Sequence, residues 1–240
     1  MRRFVLGDMH GAYRALIQCL SRSGFNYTKD LLIFLGDICD GWSEVTECVE
    51  ELLKIKNLIY LKGNHDLWLS SYLETGEETY TWLVQGGIIT KGSYMKAPEM
   101  KNKHLEFLQR GIAYYIDDDG KLFVHAGFNP DKPVDETDDP EQDYYWSREI
   151  YRASFSGPVQ PEKYHEIFVG HTPIGGISNK PLKNHNIWLM DTGAGWRGNL
   201  SIMDIDSKEL FQSDPVEDLY PTEPGRQGLR DLITSGEIKL

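Results

Sequence analysis

Cysteine is scarce in this 240-residue chain: Cys19, Cys39 and Cys48 make an odd number, and two of them fall on apolar helical positions, which argues against a disulfide-stapled scaffold. No apolar run approaches the length of a membrane span, and no charged-then-apolar leader is present. The expectation is therefore a cytoplasmic protein with no membrane partner. Basic residues are also in deficit, 25 Lys and Arg against 37 Asp and Glu, for a formal net charge of −12 and a pI near 5.0. That balance excludes sequence-independent binding of nucleic acid polymers, whose phosphates need a basic surface. It also repels anionic substrates at long range, so a phosphate ester needs a local remedy, for which bound divalent cations are the natural candidates.

Several catalytic signatures are missing as well. There is no Gly-rich Walker loop, which disfavours a kinase or NTPase. There is no Cys-x5-Arg loop, since the sixth residue after Cys19, Cys39 and Cys48 is Phe25, Val45 and Lys54 respectively. Asp204-Ile-Asp206 offers paired carboxylates without a supporting motif and reads as a turn. No internal repeat or low-complexity block is found. The length is enough for a sizeable core, and one domain over residues 1–213 is expected, followed by a Pro- and Gly-containing tail, 214–240, packed on it.

What the chain does have is a device used repeatedly: an apolar run that stops at glycine and a polar donor. Leu31 to Leu35 ends in Gly36-Asp37-Ile38-Cys39-Asp40. Arg3 to Leu6 ends in Gly7-Asp8-Met9-His10-Gly11, and Leu58 to Leu61 ends, after Lys62, in Gly63-Asn64-His65-Asp66. The near-equal spacing suits strand, helix, strand, helix, strand, with right-handed crossovers and a parallel start to the sheet. Between them, Ala12, Ala15, Leu16, Cys19 and Leu20 recur at helical spacing, and Ser43 is expected to cap a second helix with a Val45, Cys48, Val49, Leu52 and Leu53 stripe. Open α/β sheets place ligands at the carboxyl edge, where these polar tips converge.

The rest extends the pattern. Leu67 to Gln109 reads as irregularly helical, a cap or sidewall over the site. Asp118-Asp119-Gly120 between two strand runs predicts a hairpin whose second arm ends at His125. Glu166 to Gly170 leads into His171, and Ile187 to Asp191 and Leu200 to Ile205 are the last clear strands. Seven acidic residues against one lysine between Asp131 and Asp143 read as a solvated loop, with selection of substrates carrying basic flanks as the sharper alternative.

Six residues thus stand just beyond strand ends: Asp8, His10, Asp37, Asn64, His125 and His171. All are oxygen or nitrogen donors with no thiolate, a set suited to manganese, with iron or zinc as alternatives, rather than to a structural zinc cage. A carboxylate has two oxygens, so a central Asp37 can bridge two ions, and a pair about 3.5–4 Å apart suits phosphoryl transfer.

Together, Gly-Asp-Met-His-Gly, Gly-Asp-Ile-Cys-Asp-Gly, Gly-Asn-His-Asp, His-Ala-Gly, Trp-Ser-Arg-Glu, Gly-His-Thr-Pro and Asp-Thr-Gly resemble the calcineurin-like metallophosphoesterases. Within that group the resemblance, from Asp8 to about Ile205, is to phosphoprotein phosphatases of the compact bacteriophage lambda and bacterial type. It implies an α/β (α+β) four-layer fold, a two-sheet β-sandwich flanked by helices, with a dinuclear site at one end. It further implies that Asp8, His10 and Asp37 hold one divalent ion, that Asp37, Asn64, His125 and His171 hold the other, and that a hydroxide between them attacks phosphorus in line. His65 matches the general acid and Asp40 the carboxylate that orients it, a neighbour that on its own favours imidazolium. Arg148 and Asn64 match phosphate-binding positions.

One departure stands out. The family pattern Gly-Asp-x-x-Asp-Arg-Gly carries a phosphate-contacting arginine where this chain has Gly41, and Arg197 is the candidate to replace it. Phosphorylated protein and small phosphoesters are the expected substrates. Symmetrical dinucleoside polyphosphate hydrolases usually keep that arginine and lack the aspartate, the reverse of this chain, and so form the second reading. A catalytically degenerate metal-binding scaffold is the alternative from another class.

Overall fold

A computed structural model describes residues 1–238 of the chain. Alternation along the strands sends side chains to two different cores. In β1 (Arg3–Leu6) and β2 (Leu31–Phe34), Phe4, Leu6, Leu32 and Phe34 face an outer layer of helices, while Val5 and Ile33 face inward. A strand buried on both faces has no polar position to spare, which is why these segments read as unbroken apolar runs.

With β3 (Asn57–Tyr60) they form a parallel trio, Phe4 pairing with Leu32 and Leu32 with Leu58. The other strands are β4 (Tyr114–Ile116), β5 (Lys121–Val124), β6 (Glu166–Val169), β7 (Leu182–Asn184), β8 (Ile187–Leu189), β9 (Ser201–Asp204) and β10 (Leu210–Gln212). The first sheet runs β10-β9-β1-β2-β3 and the second β4-β5-β6-β8-β7. Each has a parallel core, β1-β2-β3 and β5-β6-β8, edged by antiparallel strands.

Val5, Ile33, Phe123, Phe168, Met190 and Met203 fill the space between the sheets. There the rings of Phe123 and Phe168 stack at 4.8 Å and 9°, and Phe168 stacks on Trp188 at 6.2 Å and 4°. Helices α1 (Tyr13–Arg22), α2 (Val45–Leu52) and α3 (Asn64–Thr75) cover the first sheet, and a second apolar cluster under the Pro140–Trp146 and Glu149–Ala153 helices covers the other. This is the four-layer arrangement, a two-sheet sandwich flanked by helices, that the sequence resemblance implies. Arg3 ties its sheets together at one rim by ion pairs to Asp117, Asp119 and Asp206.

The strands, the 118–120 hairpin and the parallel start fall where the sequence places them. Ser43 does not cap α2: its hydroxyl donates to Glu223 Oε1 at 2.7 Å, and the residue before the helix is Glu44. The 67–109 stretch is a series of short helices broken at Gly86, whose φ of 112° no side-chain-bearing residue adopts readily. The tail contains helices Val216–Leu219 and Gly225–Thr234. Strands β7 and β10 were not foreseen, being three residues long and only partly buried. Among the described residues no helix is long and apolar enough to cross a membrane.

Phe168→Ala removes the middle ring of the inter-sheet stack and should lower the unfolding free energy by about 3–5 kcal/mol in denaturant titration. Ile177→Ala, at a position 58% exposed, should change it by less than about 0.5 kcal/mol.

Candidate metal centre

The carboxyl ends of both parallel trios open on one cleft of about 270 Å³, lined by His10, Asp37, Asn64, His65, His171 and Asp191 among others. Asp8 and His10 follow β1, Asp37 follows β2, Asn64 and His65 open α3 after β3, and His125 and His171 follow β5 and β6. Of the six predicted donors, His10, Asp37, Asn64 and His171 line the cleft; His125 and Asp8 stand behind them, His125 Nε2 at 3.5 Å from Asp37 and Asp8 Oδ2 accepting from the His171 backbone N–H at 2.8 Å, and all but His171 are buried.

Asp37 stands at the centre. Its Oδ2 lies 3.6 Å from His10 Nε2, and its Oδ1 lies 3.5 Å from His125 Nε2. Each oxygen therefore faces a different histidine. Two donor sets result, His10–Asp37–His65 and Asp37–His125–His171, each with ligand atoms within 4.8 Å of one another. Asn64 Oδ1 lies 3.2 Å from His125 Nε2 and 2.9 Å from His171 Nδ1.

The surroundings orient these donors. His10 Nδ1 is 2.7 Å from the Cys39 carbonyl and His125 Nδ1 2.8 Å from the Leu35 carbonyl, so Nδ1–H donation there leaves each Nε2 lone pair toward Asp37. Asp66, at the third position of α3, accepts from the backbone N–H of Asp37, Ile38 and Gly63 at 2.9, 2.8 and 2.8 Å, fixing the loop that carries Asp37. A Cβ on Gly63 would strike the Asp37 carboxylate, and one on Gly170 would strike Asp8, so both positions need glycine. His10, Asp37, Asp40 and His171 all adopt left-handed backbone, φ 50°, 59°, 70° and 61°. Such strain, of order 1 kcal/mol or more per residue, persists where the surrounding structure enforces it, typically at functional sites.

Among the described residues, Asp8 Oδ1 and His171 Nε2 at this site are buried with no hydrogen-bond partner. Burial, then the charges of Asp191 and Asp37, push Asp8 well above the usual carboxylate range, and burial followed by Asp66 does the same to Asp37. Burial also raises Asp191 to about 6 and Asp40 to about 7. The histidines shift the other way: burial holds His10, His65 and His125 well below their usual value, and burial plus the nearby Arg148 brings His171 to about 4. Neutral imidazoles, crowded carboxylates and orphaned donor atoms are what divalent cations satisfy, so the residues present fit a dinuclear site.

His65 Nδ1 lies 2.8 Å from Asp40 Oδ2, and Asp40 is further held by donation from Thr90 Oγ1 at 2.6 Å and Trp82 Nε1 at 3.0 Å. The expectation that Asp40 makes His65 an imidazolium meets a stronger opposing effect. Burial and the positive Arg226 depress His65, while burial lifts Asp40 to about 7, so burial works against an imidazolium–carboxylate ion pair.

Arg148 lines the cleft beside Trp146. Arg197 does not: it is largely exposed and faces Glu217 at 3.6 Å, because the Gly-rich loop turns it outward toward the Val216–Leu219 helix. The sequence reading also missed two cleft residues. Asp191 follows the apolar Ile187–Met190 run just as Asp37 follows its strand, a signal that was available. Arg226, from the tail, had none.

Residues 1–205 match the family model of the calcineurin-like phosphoesterases. The chain is 30% identical to serine/threonine-protein phosphatase 2 of Salmonella typhimurium over 211 residues, 84% of this chain and 92% of that protein. It is 29% identical over 137 residues to the symmetrical bis(5'-nucleosyl)-tetraphosphatase of Coxiella burnetii, 56% of this chain and 44% of that protein. The crystal structure of a metallophosphoesterase from Sphaerobacter thermophilus shares the fold, with a TM-score of 0.57 over 98% of this chain and 100% of that one at 19% identity.

Cation binding should stabilise the fold by about 2.7 kcal/mol at a hundredfold excess over Kd. Manganese should therefore raise the melting temperature, and chelation should reverse the effect. The raised carboxylates favour the metal-free fold below their ordinary pKa and penalise it as pH rises toward about 6 at Asp191 and about 7 at Asp40. The lowered histidines favour it above their ordinary pKa, an effect lost as pH falls toward about 4 at His171. Because protons compete with the cation for the raised carboxylates of Asp8 and Asp37, the manganese shift should be larger at pH 7.5 than at pH 5.5, and Asp37→Asn should nearly abolish it. An equal shift at both pH values, or in Asp37→Asn, would place the cation elsewhere.

Proposed function

The chain belongs to the calcineurin-like phosphoesterase family, and from that premise we propose that it hydrolyses phosphomonoesters, with phosphoserine or phosphothreonine in proteins as its substrate class. The observation that carries the reading is Asp37, whose two oxygens face separate histidine-containing donor sets. In this reading Asp8, His10 and Asp37 would hold one cation and Asp37, Asn64, His125 and His171 the other, with His65 beside His10 and Asp37 where the substrate's leaving group would lie. Two divalent ions, when bound, supply an ionised water near neutral pH and neutralise charge on the phosphoryl oxygens.

The chain's own residues do the rest. Arg148, at the cleft wall, binds phosphoryl oxygens through its planar fork. His65 delivers a proton to the leaving alkoxide, and Asp40, hydrogen-bonded to its far nitrogen, fixes the ring and balances its charge as the proton moves. Trp68 and Trp146, whose rings meet at 5.0 Å, wall the cleft and limit water beside the leaving group. Beyond Arg148 the surface opens past Asp139, Glu141 and Gln142, which supports a polypeptide substrate with basic flanks.

The similarity to serine/threonine-protein phosphatase 2 spans nearly all of both chains and supports this substrate class. The partial similarity to a bis(5'-nucleosyl)-tetraphosphatase, together with tryptophans able to stack a base, supports dinucleoside polyphosphates as the second reading.

With manganese supplied, a phosphoserine peptide should be turned over with higher kcat/KM than diadenosine tetraphosphate, the reverse order favouring the second reading. His65→Asn should lower kcat on the phosphoserine peptide about 10²–10⁴-fold with two metals retained. Intact turnover of that alkyl ester by the variant would remove His65 from its role. Arg148→Ala should mainly raise KM, and loss of metal instead would mark it as a residue that holds the site together.

A further inference from the structure

The backbone at Gly41 has no room for a side chain. A Cβ there would meet the His10 carbonyl oxygen at 2.6 Å and His10 Cβ at 2.7 Å. The next residue, Trp42, is turned into the protein, where its indole N–H donates to the Ala194 carbonyl at 2.7 Å and its ring stacks on Tyr220 at 5.1 Å. That ring is a shelf for the tail. Gly225, at φ +59°, sits directly on it, and a Cβ at Gly225 would come within 2.8 Å of the indole. The Ser43 N–H and hydroxyl donate to the Glu223 carboxylate at 3.1 and 2.7 Å. Residues 42 and 43, adjoining the missing arginine, are therefore the ones that dock the segment from Tyr220 to Arg226.

Docking there carries Arg226 under the loop and into the cleft. Arg226 is 4% exposed, its guanidinium lies over the Trp196 ring at 5.2 Å, and its Nε–H donates to the Asp40 carbonyl oxygen at 2.7 Å, one residue before Gly41. It forms no ion pair with a carboxylate among the described residues. Asp40, Asp37 and Asp191 attract it only from farther away. A buried cation left so is costly unless something else is meant to meet it.

Its other contact is contested. Nη2 lies 2.6 Å from His10 Nδ1, but the Cys39 carbonyl lies 2.7 Å from the same nitrogen. Nδ1 can donate to the carbonyl or accept from the guanidinium, not both. The first arrangement leaves Nε2 able to hold a metal, and the acceptor then left to Nη2 is that same Nε2, at 3.5 Å, which a bound metal would take. Nη1 makes no hydrogen bond with the described residues. Two guanidinium nitrogens are thus free to donate to a ligand in the cleft that Arg148 also lines.

We propose that Arg226 is the second phosphate-binding residue of this cleft: the C-terminal helix supplies the guanidinium that position 41 cannot carry, on the His10 side, opposite Arg148 on the His171 side. The inference rests on the phosphoesterase reading above. It gives the tail 214–240 a function in the site, and it explains why a chain of net charge −12 can still admit a phosphate dianion.

The test uses the full chain loaded with manganese and inorganic phosphate as the probe. Isothermal titration should show Arg226→Gln binding phosphate about tenfold or more weaker than wild type, as expected for a lost charge-assisted hydrogen bond. Arg226→Lys, which keeps the charge and loses the fork, should fall between. Elemental analysis should find two metals in each. Arg230→Gln, one turn along on the outer side of Trp196, should bind phosphate as wild type does. Wild-type phosphate affinity in Arg226→Gln, loss of metal from it, or an equal defect in Arg230→Gln would each overturn the proposal. Should the Arg226 variants fail to fold, wild type loaded with zinc and labelled with ¹⁵N in arginine gives the answer. The Arg226 Nε–Hε resonance should shift on adding phosphate, and an unmoved resonance overturns the assignment. A wild-type protein that binds phosphate in this way but hydrolyses no phosphoester would instead refute the reading on which the proposal rests.

Discussion

The constraint on which the structure depends is the crowding of carboxylates stripped of water. Asp8, Asp37, Asp40, Asp66 and Asp191 are all buried at the carboxyl ends of the strands. Left alone, such groups would take up protons, and burial pushes each of them above its usual range. The fold answers each in a different way. Asp66 is satisfied by three backbone N–H groups, Asp40 by Thr90, Trp82 and His65, and Asp191 by the N–H of Gly193. Asp8 and Asp37 keep lone pairs toward the cleft, where neutral histidines complete two donor sets. Asp66 and Asp40, each with three partners, hold the loops; Asp8, Asp37 and Asp191, each with one backbone N–H, face the site where a cation would sit.

Rigidity is the second half of that arrangement. Four of the residues at the site have positive φ, and glycines at 63 and 170 let the chain pass within contact distance of the two open carboxylates. Because the loops are anchored on strands buried on both faces, relaxing one of these residues would disturb the inter-sheet core. The packing of Val5, Ile33, Phe123 and Phe168 therefore pins the positions of side chains that it never touches.

The wall of the cleft comes from segments far apart in sequence. Trp82 and Thr90 hold Asp40 from the irregular helical stretch, so that region is structural support for His65 as well as a cover. The C-terminal segment closes the opposite side through Tyr220, Glu223, Gly225 and Arg226, with Tyr220 hydroxyl donating to Glu44 and Arg14 packed on the Tyr220 ring at 4.5 Å. A boundary between domain and tail at residue 213 separates stretches of chain that the cleft joins.

Glycine-terminated apolar runs determined, in the sequence alone, the parallel trio β1-β2-β3 and the donors Asp8, His10, Asp37 and Asn64 at its edge, because a strand buried on both faces and the polar residue ending it are encoded side by side. The same logic reaches Asp191, which was legible in the run before it. It fails for Arg197 and Arg226, since an arginine's role depends on where its long side chain ends, and only the tertiary structure brings residue 226 against residue 40 while turning residue 197 outward to Glu217. It fails for the environment of His65 too: the sequence shows a neighbouring carboxylate, but the burial that lowers the imidazole's basicity exists only once the layers have packed.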